Sequence, residues 1–102
     1  MYSIVREISF DEQLKIISRR YPRMAELDSA IDWALSRRPT QIPNIVRISY
    51  DYYLWVTDEF YIHEIPMVRI LYRVENETST VYLLAIAEVK PNEEDLFGQF
   101  IR

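Results

Sequence analysis

Cysteine is absent from the sequence and glycine occurs once. The first absence excludes disulfides, thiolate zinc sites and cysteine nucleophiles, and it agrees with a reducing compartment. The second suits a globular chain with a packed interior better than a disordered one, as does an apolar content of 49%. No apolar run approaches the roughly 20 residues that span a bilayer, and the start, "MYSIVREISF", is too polar for a signal peptide. The expectation is a soluble, cytoplasmic protein without membrane contact. Lys and Arg are also missing from Asp51 to Val68. That gap includes "YDYYLWVTDEFYIHE", which holds six aromatic side chains and the only histidine.

With 102 residues the chain has the size of one domain, residues 1–102, with a modest core. Its charge is unevenly spread. Residues 1–50 carry eight basic side chains against six acidic ones, whereas residues 51–102 carry four against ten. Affinity for nucleic acid comes largely from neutralising phosphates, so the acidic second half is a poor polyanion surface. No contact with DNA by the chain alone is expected.

Hydrophobic periodicity divides the chain in two. "YSIVREI" mixes β-branched and polar residues and predicts a short strand over about residues 2–8. Ser9 followed by Glu12 has capping-box spacing, and Phe10, Leu14 and Ile17 continue at helical intervals until Pro22 interrupts the ladder. A second helix is predicted over about residues 23–37, with Met24, Leu27, Ile31, Ala34 and Leu35 on one stripe. Pro39 and Pro43 stop it. Beyond Ile45 the period becomes two. "NIVRISY" and "DYYLWVT" predict one bent strand or two short ones, with Asp51 at the bend. In the next strand Val68, Ile70, Tyr72 and Val74 alternate with Met67, Arg69, Leu71 and Arg73. "NETS" is a turn. In the last strand Val81, Leu83, Ala85 and Ala87 are assigned to one face, and Tyr82, Leu84 and Ile86 to the other. The class is α+β in the order β-α-α-β-β-β, a helical hairpin on one face of a small, mainly antiparallel sheet. Two helices cover one face, so the other needs the C-terminal tail, a second subunit in a homodimer, or a partner segment.

Three stretches carry a resemblance to a known family. "RRYPRMAELDSAIDWALSRRP" looks like the helical hairpin, with its Tyr-Pro break, of the RelE/ParE toxin superfamily of type II toxin–antitoxin pairs. "MVRILYRVENETSTVYLLAIAEVK" is similar to that family's paired core strands, and "KPNEEDL" to the tail of one subgroup. The resemblance implies a RelE-like fold and a toxin that cuts messenger RNA on the ribosome or, in the other branch, acts on DNA gyrase. It also implies an antitoxin protein as partner and no cofactor. In the ribonuclease branch, basic residues on the open sheet face activate the ribose hydroxyl and stabilise charge developing on phosphorus. The residues that match are Arg69, on the core strand, and Lys90, at the end of the last strand. The lysines that the family's enzymes place on the preceding strand have no counterpart, and the tail offers Phe97 and Phe100 where a tyrosine assists the chemistry. A ribosome-dependent endoribonuclease and a non-catalytic interaction module of the same fold are therefore both carried forward. In either reading Tyr53, Trp55, Leu71 and Arg73 are the expected partner-binding residues.

Other constellations are weaker. His63 lacks a second histidine or a nucleophile, and it neighbours Glu64, so the two point to opposite sides of an extended chain. No metal-ligand spacing includes them with Asp58 and Glu59. Glu93, Glu94 and Asp95 read as a solvating run. Arg19, Arg20, Arg23, Arg37 and Arg38 are interleaved with Glu26, Asp28 and Asp32, the pattern of solvated helix faces with paired charges rather than a stripe for nucleic acid. A small-molecule pocket walled by Tyr52, Tyr53, Trp55, Tyr61 and His63 is a further alternative.

Overall fold

The structure is a computed structural model that describes residues 1–57 and 65–89. A first strand, β1 (Ser3–Arg6), leads into helices α1 (Ile8–Arg20) and α2 (Met24–Arg37). Four strands follow: β2 (Ile45–Ser49), β3 (Tyr52–Val56), β4 (Val68–Glu75) and β5 (Thr80–Glu88). They form one sheet in the order β1-β5-β4-β3-β2, antiparallel throughout except for the parallel pair β1 and β5. The predicted class and element order hold. The bent segment after Ile45 is two strands, joined by a turn at Tyr50 and Asp51. In this glycine-poor chain Asn44, Tyr50 and Ser79 supply the left-handed turn conformations, at φ of 67°, 39° and 52°.

Both helices lay their apolar stripes on the same face of the sheet. Phe10, Leu14 and Ile17 of α1 and Met24, Leu27, Ile31 and Leu35 of α2 are buried together with Trp55, Ile70, Tyr72, Val74, Val81, Leu83 and Ile86. Each such side chain contributes about 1.5–3 kcal/mol by leaving water, which makes this layer the main source of stability. The Tyr72 hydroxyl donates to the Pro39 carbonyl at 2.5 Å. That bond ties the connection after α2 to the centre of the sheet.

Charged contacts hold the edges of the layer. The half-buried Arg6 guanidinium reaches across from β1 to Asp28 and to Asp32, at 2.8 Å, on α2, while Asp11 on α1 stands 3.8 Å away. Its carbon lies 5.3 Å from the centre of the Phe10 ring. Desolvation works against the guanidinium's charge, but hydrogen bonds to Asp28 and Asp32 outweigh it and raise the arginine's pKa. At the opposite end of α1, the Tyr21 hydroxyl donates to Glu88, and Arg20 forms an ion pair with the same carboxylate at 2.9 Å. The Tyr-Pro break is thereby anchored to the end of β5.

Two local expectations are corrected. Helix α1 begins at Ile8 with Glu7 as its N-cap, and no side chain caps it. Ser9 therefore sits inside the first turn, where its hydroxyl donates to the Leu84 carbonyl at 2.6 Å. The second correction concerns β5. The register runs Leu71 with Ala85 and then Tyr72 with Leu83, so Leu84 is an extra residue in a bulge. Past the bulge the faces exchange. Ile86 joins Val81 and Leu83 in the core, and Ala85 and Ala87 fall on the other side with Tyr82. The bulge leaves ladder groups to be satisfied from elsewhere, and α1 provides for them: Ser9 at the Leu84 carbonyl, and the Gln13 side-chain oxygen accepting from the Ile86 amide at 2.9 Å.

Candidate interaction face of the sheet

The face turned away from the helices can be read from the strand register. One cross-strand row is Val46, Leu54, Leu71 and Ala85, apolar from edge to centre. A second row is Ser49, Tyr52, Arg73, Tyr82 and Val5, and a third is Val56, Arg69 and Ala87. No helix of the described residues lies over these rows. Val46 is 62% exposed, and Ile48, Tyr52 and Val5 are exposed too. Cross-strand neighbours of this kind form a continuous surface, because side chains on opposed residues stand about 5 Å apart.

Arg73 is fixed within that surface. Its guanidinium carbon lies 4.5 Å from the centre of the Tyr82 ring, and a terminal nitrogen is 3.6 Å from the Glu75 carboxylate. The Tyr82 hydroxyl donates to the same carboxylate at 3.3 Å. Alternation along β4 brings Arg73 and Glu75 to one side, and pairing with β5 adds Tyr82. The result is a preorganised patch that offers donors beside an aromatic ring, next to the apolar row of Leu54 and Leu71.

The predicted site residues separate into two groups. Leu71, Arg73 and Arg69 occupy the face that no described helix covers, the last in register with Val56 and Ala87. Tyr53 and Trp55 do not. Trp55 is 1% exposed in the core, and Tyr53 stacks on Tyr72 with centroids 5.5 Å apart and planes inclined by 19°. Their place in the alternation of β3 puts both under the helices, so neither meets a partner on the open side. Tyr52 and Leu54 hold the open-face positions of β3 instead, and strict alternation from the core residue Trp55 identifies them. Tyr82 joins this face from β5, where alternation with the core residues Val81 and Leu83 ahead of the bulge identifies it.

Lys90, Tyr61 and His63 lie outside the described residues, as do Asp58, Glu59, Glu64 and the acidic run of the tail. The small-molecule pocket loses its walls in any case, because Tyr52 is on the face opposite Tyr53 and Trp55. Among the described residues no three potential metal ligands come together. None of the described helices is long and apolar enough to cross a membrane.

A two-helix layer on one side of a five-stranded sheet, with β1 parallel to β5, defines the class of fold. No known protein family and no curated protein matches the sequence. Solved structures do match in shape. A chain of the RelBE2 toxin–antitoxin complex of Mycobacterium tuberculosis superposes with a TM-score of 0.62 at 20% identity, over 86% of this chain and 91% of that one. A chain of the intact RelBE complex of Escherichia coli gives 0.60 at 14%, over 88% and 99%. The E. coli toxin RelE, as an arginine double mutant in complex with a peptide of the antitoxin RelB, gives 0.59 at 14%, over 99% and 95%. The fold is that of the RelE-like toxins, in a sequence divergent from these structures.

Proposed function

We propose that this chain is the toxin-like member of a type II toxin–antitoxin pair, acting in the cytoplasm, and that an antitoxin segment docks on the open face of its sheet. The observation that carries the reading is the RelE-like fold with a sheet face that no described helix covers, on which exposed Val46 and Tyr52 flank half-buried Leu54 and Leu71. Such a face is apolar in its middle row and anchored by an arginine and tyrosines beside it, the composition of a protein-binding surface. The RelE structure with a RelB peptide supports the same kind of partner for this chain.

The test is co-expression with the neighbouring open reading frame. A complex is expected, and Leu71→Glu in the middle of the face should abolish it while circular dichroism remains unchanged. Recovery of free protein that leaves growth unaffected contradicts the proposal. In the ribonuclease version Arg69 and Lys90 act on the RNA. Arg69→Ala should then abolish cleavage of translated messages on ribosomes, and an unchanged rate removes Arg69 from the chemistry.

One observation favours the second reading, a non-catalytic interaction module. Among the described residues the open face carries two basic side chains, Arg69 and Arg73, and the second is engaged by Glu75 and Tyr82. Stabilising a phosphorane-like charge calls for several cations aimed at one point. Purified protein that leaves ribosome-bound messages intact, yet forms the complex, selects this reading.

A further inference from the structure

The helical side of the molecule holds a second feature that the toxin reading leaves unexplained. Trp33, on α2, is 63% exposed, whereas the chain's other tryptophan is in the core. A groove of about 470 Å³ opens beside it, lined by Trp33, Arg37, Arg38, Ile42 and Pro43. The indole is held in position. Arg37 lies over it with the guanidinium carbon 4.4 Å from the ring, and donates to the Trp33 carbonyl at 3.1 Å.

Of the other arginines of the helical hairpin, Arg19 too has no carboxylate partner among the described residues, whereas two are paired. Arg23 pairs with Glu26, and Arg20 with Glu88. Among the described residues no carboxylate pairs with Arg37 or Arg38, and Arg38 has no side-chain partner of any kind. The dipole of α2 favours cations in its last turn. It explains neither the exposed indole nor the apolar floor formed by Ile42 and Pro43. Exposed Trp and Arg around a small concave apolar patch are the combination that dominates protein–protein binding energy.

We propose that the Trp33–Arg37–Arg38 groove binds an acidic polypeptide segment, one bulky apolar side chain of which packs against Trp33, Ile42 and Pro43 while flanking carboxylates meet Arg37 and Arg38. Charge complementarity selects this occupant. Two cations neutralise too few phosphates to hold a nucleic acid, and Ile42 and Pro43 have no side-chain group with which to read a base. The surface lies on the helix-covered side of the sheet, so this partner is independent of whatever binds the open face.

The experiment pans a random twelve-residue peptide display library against the full chain. Selected peptides are then titrated as synthetic products, with the fluorescence of exposed Trp33 as the signal. Trp33→Ala and the double substitution Arg37→Gln with Arg38→Gln are compared by calorimetry. The expected outcome is enrichment of Asp and Glu around a Phe, Leu or Trp, with affinity reduced at least about tenfold in each variant and unaffected by Leu71→Glu. Because these positions are exposed, the variants keep their fold, which circular dichroism verifies. Selected peptides without acidic enrichment, equal binding by wild type and variants, or tighter binding of a twelve-residue oligouridylate than of any peptide each overturn the proposal.

Discussion

The same strands present two surfaces of opposite construction. Trp55, Ile70, Tyr72 and Val74 face the helices and are buried, while their alternating neighbours Leu54, Arg69, Leu71 and Arg73 face away from every described helix. The first set is packed by two amphipathic helices and gives the protein its stability. The second retains apolar and aromatic area without a described cover, which costs solubility unless something binds there. The contrast separates core positions from positions facing away from the described helices residue by residue along β3 and β4, so under the proposed function a substitution at one position should affect stability or recognition and spare the other.

The largest effect is expected at the core positions. Trp55→Ala should lower the free energy of unfolding by about 3–5 kcal/mol in urea titrations, since it removes a fully buried ring and leaves a cavity. A loss below about 1 kcal/mol would place Trp55 at the surface and break the two-face description. Next comes Arg6, whose charge is shared among aspartates on both helices. Arg6→Ala should cost about 1–3 kcal/mol, less than a fully buried pair because the site is partly open to solvent, and added salt should narrow the difference from wild type.

Tyr72 predicts a smaller loss with a pH signature. Burial and the nearby Tyr53 raise its phenol pKa well above the ordinary value of about 10. The folded state thus holds this proton more tightly than the unfolded chain. Its contribution is complete below about pH 10 and declines as pH rises toward the folded value. Tyr72→Phe should cost about 1 kcal/mol at neutral pH through the lost bond to Pro39, and it should flatten the fall in stability above pH 10. An alkaline unfolding profile identical to that of the wild type would assign that fall to other groups. Tyr21, raised by its hydrogen bond to Glu88 and by burial, acts in the same direction at the sheet's other end.

The smallest effect on stability is expected on the open face. Tyr52→Ala and Leu71→Ala should each change unfolding by about 0.5 kcal/mol or less, and both should weaken the proposed antitoxin complex. A large loss of stability at Leu71 would show that this position is packed within the chain rather than offered to a partner.

The comparison also explains which readings were visible in the residues. The helical stripes and the alternation of β4 follow from covalent geometry, since period and side-chain direction are local properties. They sufficed for the hairpin, the strand order along the chain and the α+β class. From the sequence Trp55 reads as a binding residue, because aromatic character is the same in a core and at an interface. What distinguishes the two is the face that the helices cover, and alternation from the core settles it.

The failures came where one segment's choice depended on a distant one. Ser9 has the spacing of a helix cap, but the Leu84 carbonyl, 75 residues away, takes its hydroxyl because a bulge in β5 left that group to be satisfied. The bulge then moved Ile86 into the core and brought Ala85 and Ala87 to the side of Tyr82. Likewise the arginines at the two ends of α2 look alike in the sequence, yet Arg23 has a carboxylate within reach while Arg37 and Arg38 line an apolar groove. Composition, periodicity and proline positions determined by themselves the elements and their order, because those depend on near neighbours. Only the tertiary structure decided the register, the exposed face and the pairing of charges, because each requires knowing which distant backbone and side-chain groups compete for the same partner.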